Sequence, residues 1–147
     1  MKKINIVTTF KANFSDVKEN FNEKLFKFLS PKLIPNEIIR YDGNNVGDEI
    51  HIQLINQLWI SEILEVNDLE NEFNFVDIGK KLPPPIKSWH HKHRIVKVNQ
   101  YQVSIIDEIS FDCGNFILNN CIYPFMYAQF YARVPLYKKF FEKKLYE

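Results

Sequence analysis

Apolar and polar residues alternate along much of this chain, and the period of the alternation changes twice. Residues 4–10 form a β-branched and aromatic run that predicts a first strand. Asn13-Phe14-Ser15-Asp16 then reads as a helix start, with Ser15 the candidate N-cap and a short helix running to about Asn22. Residues 23–29 predict a second short helix, with Leu25, Phe26 and Leu29 on one stripe, and Pro31 and Pro35 close the region. Strand-like runs follow between turn signals. They are residues 37–41 before Asp42-Gly43-Asn44-Asn45, then 49–54, and then 58–66 across an Asn56-Gln57 turn. Residues 72–78 come next, then 86–98 behind Pro83-Pro84-Pro85, and 101–111 after an Asn99-Gln100 turn. Short links between sequential strands predict an antiparallel meander. After Asp112-Cys113-Gly114 the period becomes helical. Met126, Phe130, Val134, Tyr137 and Phe141 fall on one stripe within residues 116–144, which predicts a long C-terminal helix. Pro124 falls near its start or at a kink. Pro135 must delete one backbone hydrogen bond, so a bend or break is expected there.

Composition narrows the class. The 147 residues fit one domain, 1–147, large enough to bury a core without disulfides or metal. Hydrophobic residues are 46%, charged residues 25%, and the net charge is +1, which fits a globular chain and gives no support for nucleic-acid binding. Aromatic residues reach 15%, with 13 Phe and 7 Tyr. That many rings predicts either a thick core or a cavity lined by them. The basic start Met1-Lys2-Lys3 is followed by no apolar segment of signal-peptide type, and no window approaches a membrane span. Cys113 and Cys121 lack metal-ligand spacing and are expected to be reduced thiols in a cytoplasmic protein. No phosphate-binding glycine loop, nucleotide motif or recognisable Ser-His-Asp context occurs, so no cofactor is expected.

The chemistry concentrates around Trp89-His90-His91-Lys92-His93-Arg94-Ile95. On a strand, Trp89, His91, His93 and Ile95 share one face and His90, Lys92, Arg94 and Val96 the other. The first face is bracketed by Trp and Ile and is expected to be interior; His90 and His51 are read as surface residues. On the following strand Val103, Ile105, Asp107, Ile109 and Phe111 share a face, so Asp107 should also point inward. A loop of roughly three or five residues would set it opposite His91 or His93. A two-residue Asn99-Gln100 turn would mismatch the faces, so a longer turn or a bulge is expected. Arg133 shares the stripe of Phe130, Val134, Tyr137 and Phe141 and should stand at the edge of an interior space. Two readings of His91, His93, Asp107 and Arg133 stand. They could orient a ligand or do acid–base work, or they could satisfy one another and tie the strands to the helix. His91 and His93 could also chelate a metal, but the sequence offers no convincing third and fourth ligands, and no metal is expected. Trp59 and Trp89 are either core or walls of a ligand site.

The order of elements resembles the helix-grip fold of the SRPBCC superfamily (START, Bet v 1-like and polyketide cyclase-like proteins). One bacterial group of ligand-binding proteins in it carries Trp-x-Ser-x-Ile, Phe-Val-Asp and Gly-Pro-Phe-x-x-Trp-x-His-x-His-x-Phe. Asp-x-Val-x-Tyr and a late Phe-x-Tyr-Arg-like segment follow. This chain has Trp59-Ile60-Ser61-Glu62-Ile63, Phe75-Val76-Asp77, Pro85-Ile86-Lys87-Ser88-Trp89-His90-His91-Lys92-His93-Arg94-Ile95, Asp107-Glu108-Ile109-Ser110-Phe111 and Phe130-Tyr131-Ala132-Arg133. The similarity spans most of the chain. It departs where Pro84 replaces the Gly of Gly-Pro, where the loop before Trp89 is about two residues longer, and at Pro135 just after the Arg. The resemblance implies an α+β helix-grip fold. An antiparallel sheet of about seven strands would wrap a long C-terminal helix, with two short helices after the first strand.

The resemblance further implies that the protein binds a small hydrophobic molecule in a cavity between sheet and helix. Trp59, Trp89, His91, His93, Asp107, Ile109, Phe130 and Arg133 are the candidate ligand-binding residues. One alternative is an enzyme of cyclase, dehydratase or isomerase type, with His91, His93 and Asp107 as catalytic candidates. Another is a protein-interaction module whose cavity is filled by its own aromatics. A cavity larger than roughly 300 Å³ would favour the first two. Neither the ligand nor an oligomeric state can be read from the residues.

Overall fold

The computed structural model describes residues 1–31 and 34–145, with side chains described through residue 142. Strand β1 (Lys2–Lys11) leads to two short helices, α1 (Phe14–Glu19) and α2 (Glu23–Leu29). Six strands follow: β2 (Asn36–Tyr41), β3 (Glu49–Leu54), β4 (Gln57–Asp68), β5 (Glu72–Lys81), β6 (Ser88–Asn99) and β7 (Gln102–Asp112). Helices α3 (Phe116–Tyr131) and α4 (Arg133–Leu145) end the described chain. The strands form one sheet in the order β1-β7-β6-β5-β4-β3-β2, and every neighbouring pair is antiparallel. This is the expected α+β helix-grip arrangement.

Asparagine starts three of the helices. The Asn13 side chain accepts from the Ser15 and Asp16 amides, Asn22 from Leu25, and Asn115 from Ile117 and Leu118. Each satisfies donors that the first helical turn leaves free. The cap of α1 is therefore Asn13 and not Ser15, and that helix stops at Glu19. At the other end of the chain, α3 begins at Phe116, inside the expected window, and Pro124 sits within it. Helical bonding is interrupted at Ala132, because Pro135 has no N–H to give the Tyr131 carbonyl. Ala132 keeps right-handed helical angles (φ −61°, ψ −18°), so α4 carries on from α3 without folding back.

Two turns depart from expectation by one residue, each for a geometric reason. Leu54 pairs with Gln57, so the β3–β4 turn is Ile55-Asn56, and Ile55 takes the positive φ (51°) that such tight turns demand. In the last hairpin Asn99 pairs with Gln102, leaving a two-residue turn of Gln100-Tyr101. A plain two-residue hairpin pairs residues an odd number apart, whereas His93 faces Asp107 at an even separation. A register shift between Lys97 and Asn99 supplies the odd residue. This is the bulge that the facing of His93 and Asp107 requires.

The inner face of the sheet buries two apolar clusters. Phe10, Val17, Phe21, Leu25, Phe75, Ile95, Val103 and Tyr137 pack α1, α2 and α4 against one end. Ile4, Ile6, Trp89, Ile109, Phe111, Met126 and Phe130 pack α3 against the other. His91 and His93 lie between Trp89 and Ile95 on β6, at the junction of the two clusters. Helix α3 carries no charged side chain in its 16 residues, and Phe116, Ile117, Phe125 and Tyr131 on it are exposed. Among the described residues no helix is long and apolar enough to cross a membrane.

Candidate functional site

Alternation on β6 turns Trp89, His91 and His93 inward, each buried, while His90 is exposed and Lys92 and Arg94 lie partly covered on the outer face. Each imidazole has a carboxylate on a flanking strand directly opposite it: Asp77 on β5 faces His91, and Asp107 on β7 faces His93. The hydrogen bonds run diagonally instead. His91 Nε2 donates to Asp107 Oδ1 at 2.8 Å and His93 Nε2 to Asp77 Oδ2 at 2.6 Å. The second nitrogen of each ring approaches the other carboxylate. His91 Nδ1 stands 3.9 Å from Asp77 Oδ2, and His93 Nδ1 stands 3.9 Å from Asp107 Oδ1. The rings stack with centroids 3.6 Å apart, and Phe75 stacks on the far side of His93 at 4.4 Å. Two strands thus clamp a pair of stacked imidazoles between two buried carboxylates.

Neighbouring groups finish the network. Trp89 Nε1 donates to Asp77 Oδ1 at 3.2 Å, and Trp59 Nε1 donates to Ser61 Oγ at 2.9 Å. Tyr137 on α4 donates to Asp107 Oδ2 in a long 3.4 Å bond. The Arg133 guanidinium lies over the Phe130 ring at 4.4 Å. It makes no ion pair within 4.0 Å among the described residues, and its buried Nη1 has no hydrogen-bond partner; neither has buried His93 Nδ1.

Burial and charge oppose one another here, and the balance can be read group by group. Burial alone would raise Asp77, but the His93 bond and the electrostatic pull of the two rings hold its carboxyl below the usual range, with Ser61 contributing. Asp107 is likewise held low against burial, by His91 first and then by Arg133 and His93. His91 is pulled down to about 4 by burial, reinforced by His93, despite the opposing pull of Asp107. The His91–Asp107 contact is therefore a neutral imidazole donating to an ionised carboxylate. Burial pushes the Tyr137 phenol up, so it stays protonated as a donor.

The network borders a cavity of about 260 Å³ between the sheet and α3. Of the residues singled out from the sequence, Trp59, Trp89, His91, His93, Phe130 and Arg133 border it. The walls add Met126, Phe125 and the isoleucines of β2 and β3, and Pro83 and Ile86 of the proline loop border it. Asp107 and Ile109 point inward but do not line the cavity; Asp107 stands behind His91, fully buried. His51 bonds Glu49 and takes no part. The residue that sequence reasoning missed is Asp77. Its strand has Asn74, Phe75, Val76 and Asp77 all buried, so β5 shows no alternation from which to assign a face. The available signal was parity with Phe75, two residues earlier.

No family model and no curated protein matches the chain. Solved structures do. A hypothetical protein from Helicobacter pylori is similar over 95% of this chain and 88% of its own, at 12% identity and a TM-score of 0.72. Norcoclaurine synthase from Thalictrum flavum is similar over 84% of this chain and 75% of its own, at 13% identity and a TM-score of 0.60. An aromatase/cyclase from Streptomyces sp. R1128 is similar over 98% and 95%, at 11% identity and a TM-score of 0.56. At such identities the likeness establishes the fold alone, the helix-grip arrangement of a curved antiparallel sheet against a C-terminal helix.

Proposed function

We propose that this protein binds a small, largely apolar molecule in the cavity between the curved sheet and α3, with the ligand's polar group toward Arg133 and Asp77. The observation that carries the reading is the division of the cavity wall. Aromatic and aliphatic side chains form most of it, and the hydrogen-bonded group of Ser61, Asp77, His91 and His93, with Arg133, gives the same wall a polar patch. The volume of about 260 Å³ is a little under the 300 Å³ set as an expectation. An apolar cavity of about 150 Å³ already takes benzene, so this one suits a compact ligand of one or two rings. An interaction module with a filled cavity is less well supported, because the space is open. Two solved structures of similar fold are named a synthase and an aromatase/cyclase, which is in keeping with a small-molecule ligand or substrate for this chain. A cytoplasmic setting suits the two free cysteines, Cys113 and Cys121.

The test is native mass spectrometry of freshly purified protein, followed by tryptophan fluorescence with any co-purifying compound. Trp59 and Trp89 meet edge to face at 4.9 Å and both line the cavity, so an occupant should perturb their emission. No retained mass, together with no fluorescence response across a panel of one- and two-ring compounds, would refute the reading. A second reading, acid–base catalysis by His91 oriented by Asp107, is favoured by their 2.8 Å hydrogen bond at the cavity wall. Turnover of the identified ligand, lost in His91→Gln with binding retained, would establish it.

A further inference from the structure

We propose that Asp77, His91 and His93 form a binding site for a divalent first-row transition-metal ion, with Asp107 as the carboxylate that orients both imidazoles from behind.

Strand geometry supplies the two nitrogens. Residues i and i+2 on one face of β6 present their imidazoles side by side. The two carboxylates then divide the rings into two edges. On the Asp77 edge lie His93 Nε2, 2.6 Å from Asp77 Oδ2, and His91 Nδ1, 3.9 Å from the same oxygen. Ligand atoms of these three buried residues all lie within 4.8 Å of one another. Donors that share an ion at bonds of about 2.0–2.2 Å stand about 3 Å apart, so the spacing is close to what coordination needs. The rings are 30° from parallel, and converging both lone pairs on one ion requires that angle to open. The cavity in front of the rings gives room, because all three residues line it.

The opposite edge accounts for the protons. His91 Nε2 donates to Asp107, which fixes that ring's proton there and leaves Nδ1 as a lone pair on the Asp77 edge. His93 Nε2 donates to Asp77, and its buried Nδ1 has no hydrogen-bond partner. When an ion takes His93 Nε2, the proton moves to Nδ1, which lies 3.9 Å from Asp107 Oδ1. No proton is gained or lost, the orphaned nitrogen acquires an acceptor, and Asp107 becomes the outer carboxylate of both ligating histidines. Trp89 Nε1 fixes Asp77 in the same manner, through Oδ1. Two imidazoles and one carboxylate with open positions toward a cavity suit Fe²⁺, Co²⁺ or Zn²⁺. The ion would sit at the polar patch of the cavity wall, whether or not an apolar molecule occupies the remainder.

The test uses the tag-free full chain and the metal alone. Zn²⁺ is titrated while the imidazole nitrogens are followed by long-range ¹H–¹⁵N NMR, and Co²⁺ is titrated by its visible absorption. The expected result is one ion per chain, with the His91 and His93 nitrogens shifting and those of His51 and His90 unmoved. Asp107→Asn should weaken binding about 10–100-fold, and Asp77→Asn by at least as much, with folding checked by circular dichroism. The NMR arm needs no variant, so a substitution that fails to fold does not protect the proposal. It is overturned by the absence of saturable binding, by shifts confined to His51 and His90, or by an unchanged affinity in folded Asp77→Asn. Such a failure leaves the apolar-ligand reading standing, since native mass spectrometry probes that separately.

Discussion

Strand β6 carries an ionic network on each of its faces, and both bridge the same three strands. Inside, His91 and His93 join Asp77 of β5 to Asp107 of β7. Outside, Arg94 joins Glu72 of β5 to Glu108 of β7. The connectivity is nearly the same, but the surroundings are not. All four inner side chains are buried, whereas the outer ones keep roughly a quarter to a third of their surface in water. Water shares the work of stabilising the outer charges, so losing one partner there strands little. Inside, the paired donors and acceptors depend on other protein atoms rather than on water, so a single deletion is felt by the whole cluster. Burial, rather than the number of charged contacts, decides which network the fold depends on.

The sharpest test of that contrast is Asp107→Ala, which removes the acceptor for His91 and Tyr137 and the buried counter-charge of Arg133. Chemical denaturation should show a loss of about 2–4 kcal/mol. If the cluster is only structural, ligand affinity in the folded fraction is kept; if it serves binding or catalysis, affinity or turnover falls further than stability does. A smaller loss, about 1–2 kcal/mol, is expected for Asp77→Asn, where shape is retained and one acceptor oxygen becomes a donor facing either Trp89 or His93. Arg94→Ala should cost less than about 1 kcal/mol in thermal or denaturant melts. A cost there equal to that of Asp107→Ala would break the comparison. Smallest of all should be the response to salt. Raising ionic strength from about 0.1 to 1 M shortens the screening length from about 10 to 3 Å and should erase the Arg94 contribution while sparing the inner cluster.

Acidity sharpens the same point on the outer face. Arg94 holds the Glu72 carboxyl below the ordinary glutamate range, mainly through their hydrogen bond. A carboxyl depressed in the folded state stabilises above its unfolded value and loses that contribution as pH falls through the folded one. The parent protein should therefore lose stability across the acid range where Glu72 protonates, and Arg94→Ala should flatten that part of the profile. Melting temperatures measured at successive acid pH values in both proteins would check it.

How much of this could be read from the residues differs by strand. On β6 and β7 one face is dry and the other wet, so strict alternation exposed Trp89, His91, His93 and Asp107, and the parity mismatch exposed the bulge. On β5 both faces are covered around Asp77, alternation vanishes, and the second carboxylate was invisible to that method. Diagonal bonding was equally illegible, since register gives the residue directly opposite and side-chain rotamers choose the neighbour. The helical stripe brings Phe130 and Arg133 to the cavity wall. Ile109 shares the inner face but lies beneath other side chains, a distinction of depth that a face assignment does not contain. The α1 cap was misplaced by two residues because Asn13 and Ser15 are both competent caps, and the backbone path into the helix selects between them.

The position of β1 carries a consequence for how the chain reaches this state. Each of β2 to β7 pairs with its neighbour in sequence, so those contacts close short loops. β1 instead pairs with β7, Lys2 against Phe111, and that contact encloses both short helices and all the other strands. Closing so long a loop loses more conformational freedom than closing a hairpin and comes late in assembly. By that argument the Asp77, His91, His93 and Asp107 constellation should form early and Ile4 and Ile6 should dock last. Kinetic analysis of Ile6→Val should then find its contacts absent from the transition state, with those of Ile95→Val largely formed. The polar cluster would exist for a time in a half-closed sheet, before the first strand shuts water out beside it.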